Sequence, residues 1–154
     1  MAQGESVLIL IKPDGMRKAI AGEVMSQFLA SDLKLAGLKL VQVSRQLAQK
    51  HYGHLKDKFF FKEIVAYLMG DLHGGAAVVA MVFTGNDAIK KCRQLAGATN
   101  PEEADPKSVR GKFGRITTKG VYENLVHVSS DASEAKREIT LWFKKTELIG
   151  KGIL

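Results

Sequence analysis

Two stretches constrain the fold before anything else. "SVLILIK" at Ser6 to Lys12 and "AVVAMVFT" at Ala77 to Thr84 are short, apolar and rich in β-branched residues, which is the pattern of buried strands. The first runs into "KPDG", a turn, and then a helical stripe of Ile20, Val24, Phe28 and Leu29, so a βα unit opens the chain. "LAGLKLVQVS" at Leu35 to Ser44 alternates as a strand does. Helices are expected at about Gln46 to Leu55 and Phe60 to Met69, and another carries Ile89, Cys92 and Ala96 between Asn86 as N-cap and Gly97 as terminator. A last strand, Asn124 to Val128, and a helix, Ser133 to Phe143, complete the set. Strands interspersed with helices over 154 residues, 45% of them hydrophobic, predict a single domain over residues 1–154: an α/β sandwich, one sheet with helices against it.

Between about Ala98 and Glu123 no periodicity is found, only "TNPEEADPKSVRGKFGRITTKGVYE" and its turn formers. Loops this long in a compact domain are usually functional or disordered. This one carries Lys107, Arg110, Lys112, Arg115 and Lys119 beside Gly111 and Gly114, with no acid between Lys107 and Lys119. Arginine forks and glycine backbone can clasp phosphate oxygens, and Arg93, near the end of the preceding helix, is placed to join them. The formal net charge of +7 favours anionic partners without choosing among nucleic acid, nucleotides and anionic lipid. Lys12, closing an apolar strand, either snorkels or reaches into a cleft. Phe59, Phe60 and Phe61 start a helix and cannot all face one core, so at least one is expected at the surface or a cleft mouth, where rings stack on bases.

The strongest chemical signal is "NLVHVSS" at Asn124 to Ser130. Counting by twos places Leu125, His127 and Ser129 on one strand face and Val126 and Val128 on the other. In "DASEAKREITLWF" a capping box of Asp131 and Glu134 precedes an apolar stripe of Ala135, Ile139 and Trp142, and Glu138 falls on that stripe. A carboxylate facing a core is costly unless paired, and a histidine on the adjoining strand is a natural partner. Such a pair fixes the imidazole tautomer and leaves the other nitrogen a directed lone pair, suited to a general base or a nucleophile. His51, His54 and His73 lie in polar contexts without such a partner, and no spacing suggests a zinc site, so no metal ligands are assigned. Cys92, alone in the chain, is given no role. No Walker or dinucleotide-binding glycine loop occurs. With no long apolar run, and with "MAQGESVLIL" lacking the basic region of a leader, a cytoplasmic protein without a membrane partner is expected.

Taken in order, "LILIKPDGMR", "AGEV", "LKLVQ", "LAQKHYGHLKDKFFF", "VVAMVF", "AGATNPEEADPKSVRGKFG", "ENLVHVSS" and "AKREITLWF" resemble the nucleoside diphosphate kinase family from Val7 to about Leu148. The resemblance implies a ferredoxin-like α/β sandwich with an antiparallel sheet. It implies transfer of a terminal phosphoryl group between nucleoside tri- and diphosphates (ATP, ADP, GTP, GDP and others) through a phosphohistidine. In that reading His127 is the nucleophile, oriented by Glu138 with Ser129 in the same network. Lys12, Arg93, Thr99 and Arg110 hold phosphates and Tyr52 lies close to the transferred group. Asn124 and Lys12 contact the sugar hydroxyls, Phe60 stacks on the base with Ile64 beside it, and Mg2+ bridges the phosphates. A homo-oligomer is implied, hexamer ahead of tetramer, and nucleic acid is not required.

The chain departs from the family pattern at Val128 and Ser130, where glycine and aspartate are usual, and at His54, where aspartate is usual. Extra residues lie in "MGDLHGGAA" and "GRITTKGVYE". Rival readings are a nucleic-acid-binding or regulatory module of the same fold, and a family member of reduced activity. Lys12→Ala and Arg110→Ala are expected to depress turnover with the fold intact.

Overall fold

Both faces of the first strand are covered, which is why it is apolar at successive positions. In the computed structural model, which describes residues 4–154, the elements run β1 (Glu5–Ile11), α1 (Pro13–Arg17), α2 (Ala21–Leu29), β2 (Lys34–Val41), α3 (Arg45–His51), α4 (Phe61–Met69), β3 (Val78–Gly85), α5 (Ala88–Ala96), α6 (Val109–Phe113), β4 (Arg115–Ile116), β5 (Tyr122–Glu123), β6 (Val126–Val128) and α7 (Ala132–Trp142). Met1 to Gln3, the beginning of the segment read above for a leader, lie outside the described residues. The main sheet has the order β2-β3-β1-β6 with every pairing antiparallel, the ferredoxin-like arrangement. Among the described residues no helix is long and apolar enough to cross a membrane.

Alternation along β1 divides its side chains between two cores. Val7, Ile9 and Ile11 join Met81, Phe83, Val126 and Val128 under α2 and α5. Leu8 and Leu10 join Ala80, Val82, Ile139 and Trp142 under α3, α4 and α7. Cys92 is fully buried in the first core, and burial pushes its thiol up to about 12, as an unreactive packing residue requires.

Several local expectations are corrected. Leu125 does not share a face with His127. Its φ of 69° breaks the strand alternation, so its side chain packs with Val126 and Val128 in the first core. That left-handed conformation is costly for leucine. It is held by the Asp14 carboxylate, which accepts from Leu125 N at 2.9 Å, and by Lys12 N, which donates to Leu125 O at 2.8 Å. Asn86 does not cap α5. Asp87 occupies the cap position without a side-chain bond, and Glu5 accepts from Ile89 N instead. Only half of the capping box on α7 forms, because Glu134 turns to Arg137 while Asp131 accepts from Glu134 N. In α2, Val24 and Phe28 are buried but Leu29 is exposed, beyond the width of the inner stripe.

The aperiodic loop is ordered rather than structureless. Ser108 caps α6, and β4 and β5 form a small hairpin. Gly111 makes the fold of this loop possible, since a Cβ there would stand 2.0 Å from the Asp105 carbonyl oxygen. These elements are too short to leave a hydrophobic period, and their stability comes from hydrogen bonds across the loop.

Candidate active site

β6 pairs with β1 so that His127 stands opposite Leu10, on the face crossed by α7. The first turn of α7 is set by Asp131, and two turns later the helix delivers Glu138 beneath the imidazole. His127 Nε2 lies 2.9 Å from Glu138 Oε1. Ser129 Oγ donates to Glu138 Oε2 at 2.6 Å and accepts from Leu8 N at 3.1 Å. Glu138 is only 2% exposed, so its oxygens rely on these two partners for their hydrogen bonds. With Nε2 donating to the carboxylate, the remaining lone pair of the ring is on Nδ1. The His127 side chain is 22% exposed, enough for a substrate to reach it.

His51, given no role from the sequence, supports the same ring. It is buried, accepts from Trp142 Nε1 at 3.1 Å through Nδ1, and meets the His127 ring edge-on with centroids 4.5 Å apart. Burial first, then the proximity of His127 and the Arg137 charge, holds it well below the usual imidazole range and therefore neutral. His73 is also buried and paired, 3.1 Å from Glu123. The expectation that neither has a carboxylate partner therefore fails for His73, whose Glu123 lies 50 residues away, and holds for His51, whose partner 91 residues away is an indole. His54 is exposed.

Lys12 reaches inward rather than snorkelling. It is buried, donates to Asn124 Oδ1, and has Nζ 4.7 Å from the centroid of the Tyr67 ring. Burial brings its ammonium down to about 8, opposed by Asp14 and assisted by Arg110. Burial and the Arg93 charge likewise bring Arg110 down to about 10. Lys12 and Arg110 therefore crowd positive charge around Asp14 with Arg93 close to Arg110, an arrangement that favours an arriving polyanion. Asn124 also donates to Thr99 O at 2.9 Å, while the Thr99 and Arg93 side chains are exposed. Arg93 borders a cavity of ≈ 720 Å³ shared with Gly97, Ala98, Ser130 and Asp131. Tyr52 is half-buried, and burial together with the Glu138 and Asp14 charges raises its hydroxyl above the usual phenol range, so it stays a donor.

Arg110 has a structural task that its sequence context does not reveal. Its guanidinium donates to the carbonyls of Gly97 at 2.8 Å, Val126 at 2.7 Å and Asn124 at 3.2 Å, tying the loop to β6. Three of five N–H groups are used, leaving two for a ligand. Arg110→Ala is therefore expected to keep the fold at reduced stability. Thermal unfolding should show a loss of about 1–3 kcal/mol, the cost of unpaired buried carbonyls.

At the outer end, Phe59 is 98% exposed and sets its ring edge-on to Phe60 at 5.3 Å. Phe60 and Ile64 are half-buried one turn apart, while Phe61 packs on the second core. The expected division of the three rings is met. Among the described residues, His51, His127 and Glu138 are the group of donors close enough together to hold an ion. Both Glu138 oxygens are already bonded and two of the donors are imidazoles, a poor match to the oxygen cage that Mg2+ requires.

A family model described as nucleoside diphosphate kinase matches residues 5–148. The chain belongs to the nucleoside diphosphate kinase family. It is 42% identical over 144 residues to the nucleoside diphosphate kinase of a Picosynechococcus species, covering 94% of this chain and 91% of that one. A nucleoside diphosphate kinase structure from Borrelia burgdorferi, a transition-state mimic with bound vanadate and ADP, superposes with a TM-score of 0.86 at 29% identity, covering 96% of this chain and 92% of that one. The Halobacterium salinarum enzyme in complex with CDP gives a TM-score of 0.86 at 33% identity, with coverage of 96% and 92%. The fold and the enzymatic class are those of nucleoside diphosphate kinases, and nothing in these likenesses favours a regulatory or nucleic-acid-binding module.

Proposed function

We propose that residues 1–154 form one catalytic unit in which His127 carries the phosphoryl group between nucleotides. The Nδ1 lone pair attacks the terminal phosphorus of a nucleoside triphosphate. An N–P bond forms, the bond from phosphorus to the bridging oxygen breaks, and the diphosphate leaves with that electron pair. A terminal oxygen of a second nucleoside diphosphate then attacks the same phosphorus and the N–P bond breaks. Throughout, Nε2–H stays on Glu138, which balances the positive charge of the phosphorylated ring. The observation that carries this reading is the 2.9 Å contact between His127 Nε2 and Glu138.

Lys12, Arg93, Arg110 and Thr99 hold the phosphates, supported by the crowding of cations around Asp14. Tyr52 donates near the transferred group. Asn124 and Lys12 meet the sugar hydroxyls, and Phe60 with Ile64 receives the base on a π-face that all bases share. Among the described residues the group close enough to hold an ion is two imidazoles and a bonded carboxylate, so Mg2+ would be held mainly by the nucleotide phosphates, where it would neutralise charge. Incubation with γ-labelled ATP should leave an acid-labile, alkali-stable label that ADP or GDP removes. No label, or label that no diphosphate discharges, would refute the reading.

The lowered Lys12 ammonium gives a pH dependence. It is charged below about 8 and loses its charge as pH rises through that value, so kcat/KM for nucleotide should fall above about pH 8. Lys12→Arg, charged at all these pH values, should flatten that limb of the profile.

A homo-oligomer is supported by the β2 edge of the sheet, where Leu38 and Leu40 are 49% and 66% exposed, and its ranking as hexamer ahead of tetramer rests on the family resemblance alone. The double variant Leu38→Lys with Leu40→Lys should elute as a smaller species in light-scattering chromatography. A cytoplasmic location suits the single, buried Cys92.

A further inference from the structure

"MGDLHGGAA" after α4 and "GRITTKGVYE" spanning β4 and β5, the segments that the resemblance makes longer than the family pattern, meet in the folded chain. His73 from the first lies 3.1 Å from Glu123 Oε1 of the second, and Glu123 also accepts from Arg115 Nε and pairs with Lys18 at 3.3 Å. Burial works against the Glu123 charge, but Arg115, His73 and Lys18 together hold its carboxyl at about 2. The ionised acid thus sets His73 Nε2 as a donor. Backbone geometry keeps His73 in place: Gly70 turns the chain with φ of 87°, and a Cβ there would lie 2.5 Å from the Ala76 carbonyl oxygen.

Both contacts of His73 lead to Lys12. On one side its ring stands edge-on to Tyr67 with centroids 4.9 Å apart, and Lys12 Nζ lies over that Tyr67 ring. On the other side Glu123 adjoins Asn124, whose side-chain oxygen accepts from Lys12. A cavity of ≈ 600 Å³ bordered by Asp14, Arg17, Lys18, His73, Arg115 and Glu123 lies against this cluster. Charge contacts, rather than close packing, therefore fix the end of the hairpin.

We infer that His73 and Glu123 are positioning residues for the nucleotide sugar, holding Lys12 and Asn124 at the spacing that meets its hydroxyls. The inference rests on the reading that Lys12 and Asn124 contact the sugar. It assigns to this chain's two extra segments a joint effect on nucleotide selection.

Calorimetric titration of the full chain with ADP and with 2′,3′-dideoxy-ADP tests it. The unaltered protein should prefer ADP. His73→Leu should weaken ADP binding by about tenfold, the value of one hydrogen bond to a charged group, and leave the dideoxy ligand within about twofold. His73→Gln, which keeps an N–H within reach of Glu123, should restore the preference, and Glu123→Gln should reduce it. An undiminished ADP preference in His73→Leu, or equal weakening of both ligands, overturns the inference. Absence of any preference in the unaltered protein overturns it too, together with the sugar roles of Lys12 and Asn124. The labelling of His127 is decided separately by the γ-labelled ATP experiment.

Discussion

His127→Gln should reduce phosphoryl transfer by on the order of 10⁴-fold or more and abolish the phosphoprotein, with the fold retained. Loss of a covalent nucleophile removes the reaction path itself, leaving only the alignment of two nucleotides in a charged site. Glutamine is the informative replacement, because its amide can still donate to Glu138 and so spares the buried carboxylate a lost partner. His127→Ala removes that donor and should show the same loss of transfer with a lower melting temperature. The two variants thus separate chemistry from stability. Wild-type labelling of the glutamine variant would mean that another residue accepts the phosphate.

Glu138→Gln is the second large effect, and it acts through the proton on the ring. If the glutamine NH2 faces Nε2, that nitrogen must become the acceptor and the proton moves to Nδ1, where it blocks attack. If the amide turns over, its NH2 meets Ser129 Oγ, whose hydroxyl must then turn to Leu8 O at 3.4 Å, a poor bond. Either arrangement weakens the nucleophile without touching the nucleotide. Single-turnover phosphorylation should slow by about 10- to 100-fold, as for other partners that orient a reactive imidazole, while nucleotide affinity stays unchanged. Nitrogen-15 spectra of the histidines should show the proton shared with Nδ1. A variant that phosphorylates at the parental rate would make Glu138 a structural acid only.

His127 and Glu138 were legible early because a carboxylate on the apolar stripe of a helix is a local anomaly that demands a partner. Lys12 was conspicuous for a similar reason, as a charge ending a buried strand. The sequence puts Arg110 among the candidate phosphate ligands but does not show its three bonds to backbone carbonyls, since nothing in a basic loop says which of its cations turns inward. Leu125 defeated strict alternation because a single left-handed residue, stabilised by Asp14 from another element, turns its own side chain to the opposite face while Val126 to Ser129 alternate as expected.

The sequence by itself determined the order of strands and helices, the apolar faces that bind them, and the acid–imidazole pair, because periodicity and misplaced charge are properties of neighbouring residues. Tertiary structure alone decided the antiparallel strand order, which ring nitrogen of His127 is left free, and the meeting of His51 with Trp142, His73 with Glu123 and Lys12 with Asn124. Those pairs are 91, 50 and 112 residues apart. Their encounter depends on how whole elements pack, and no local pattern encodes it.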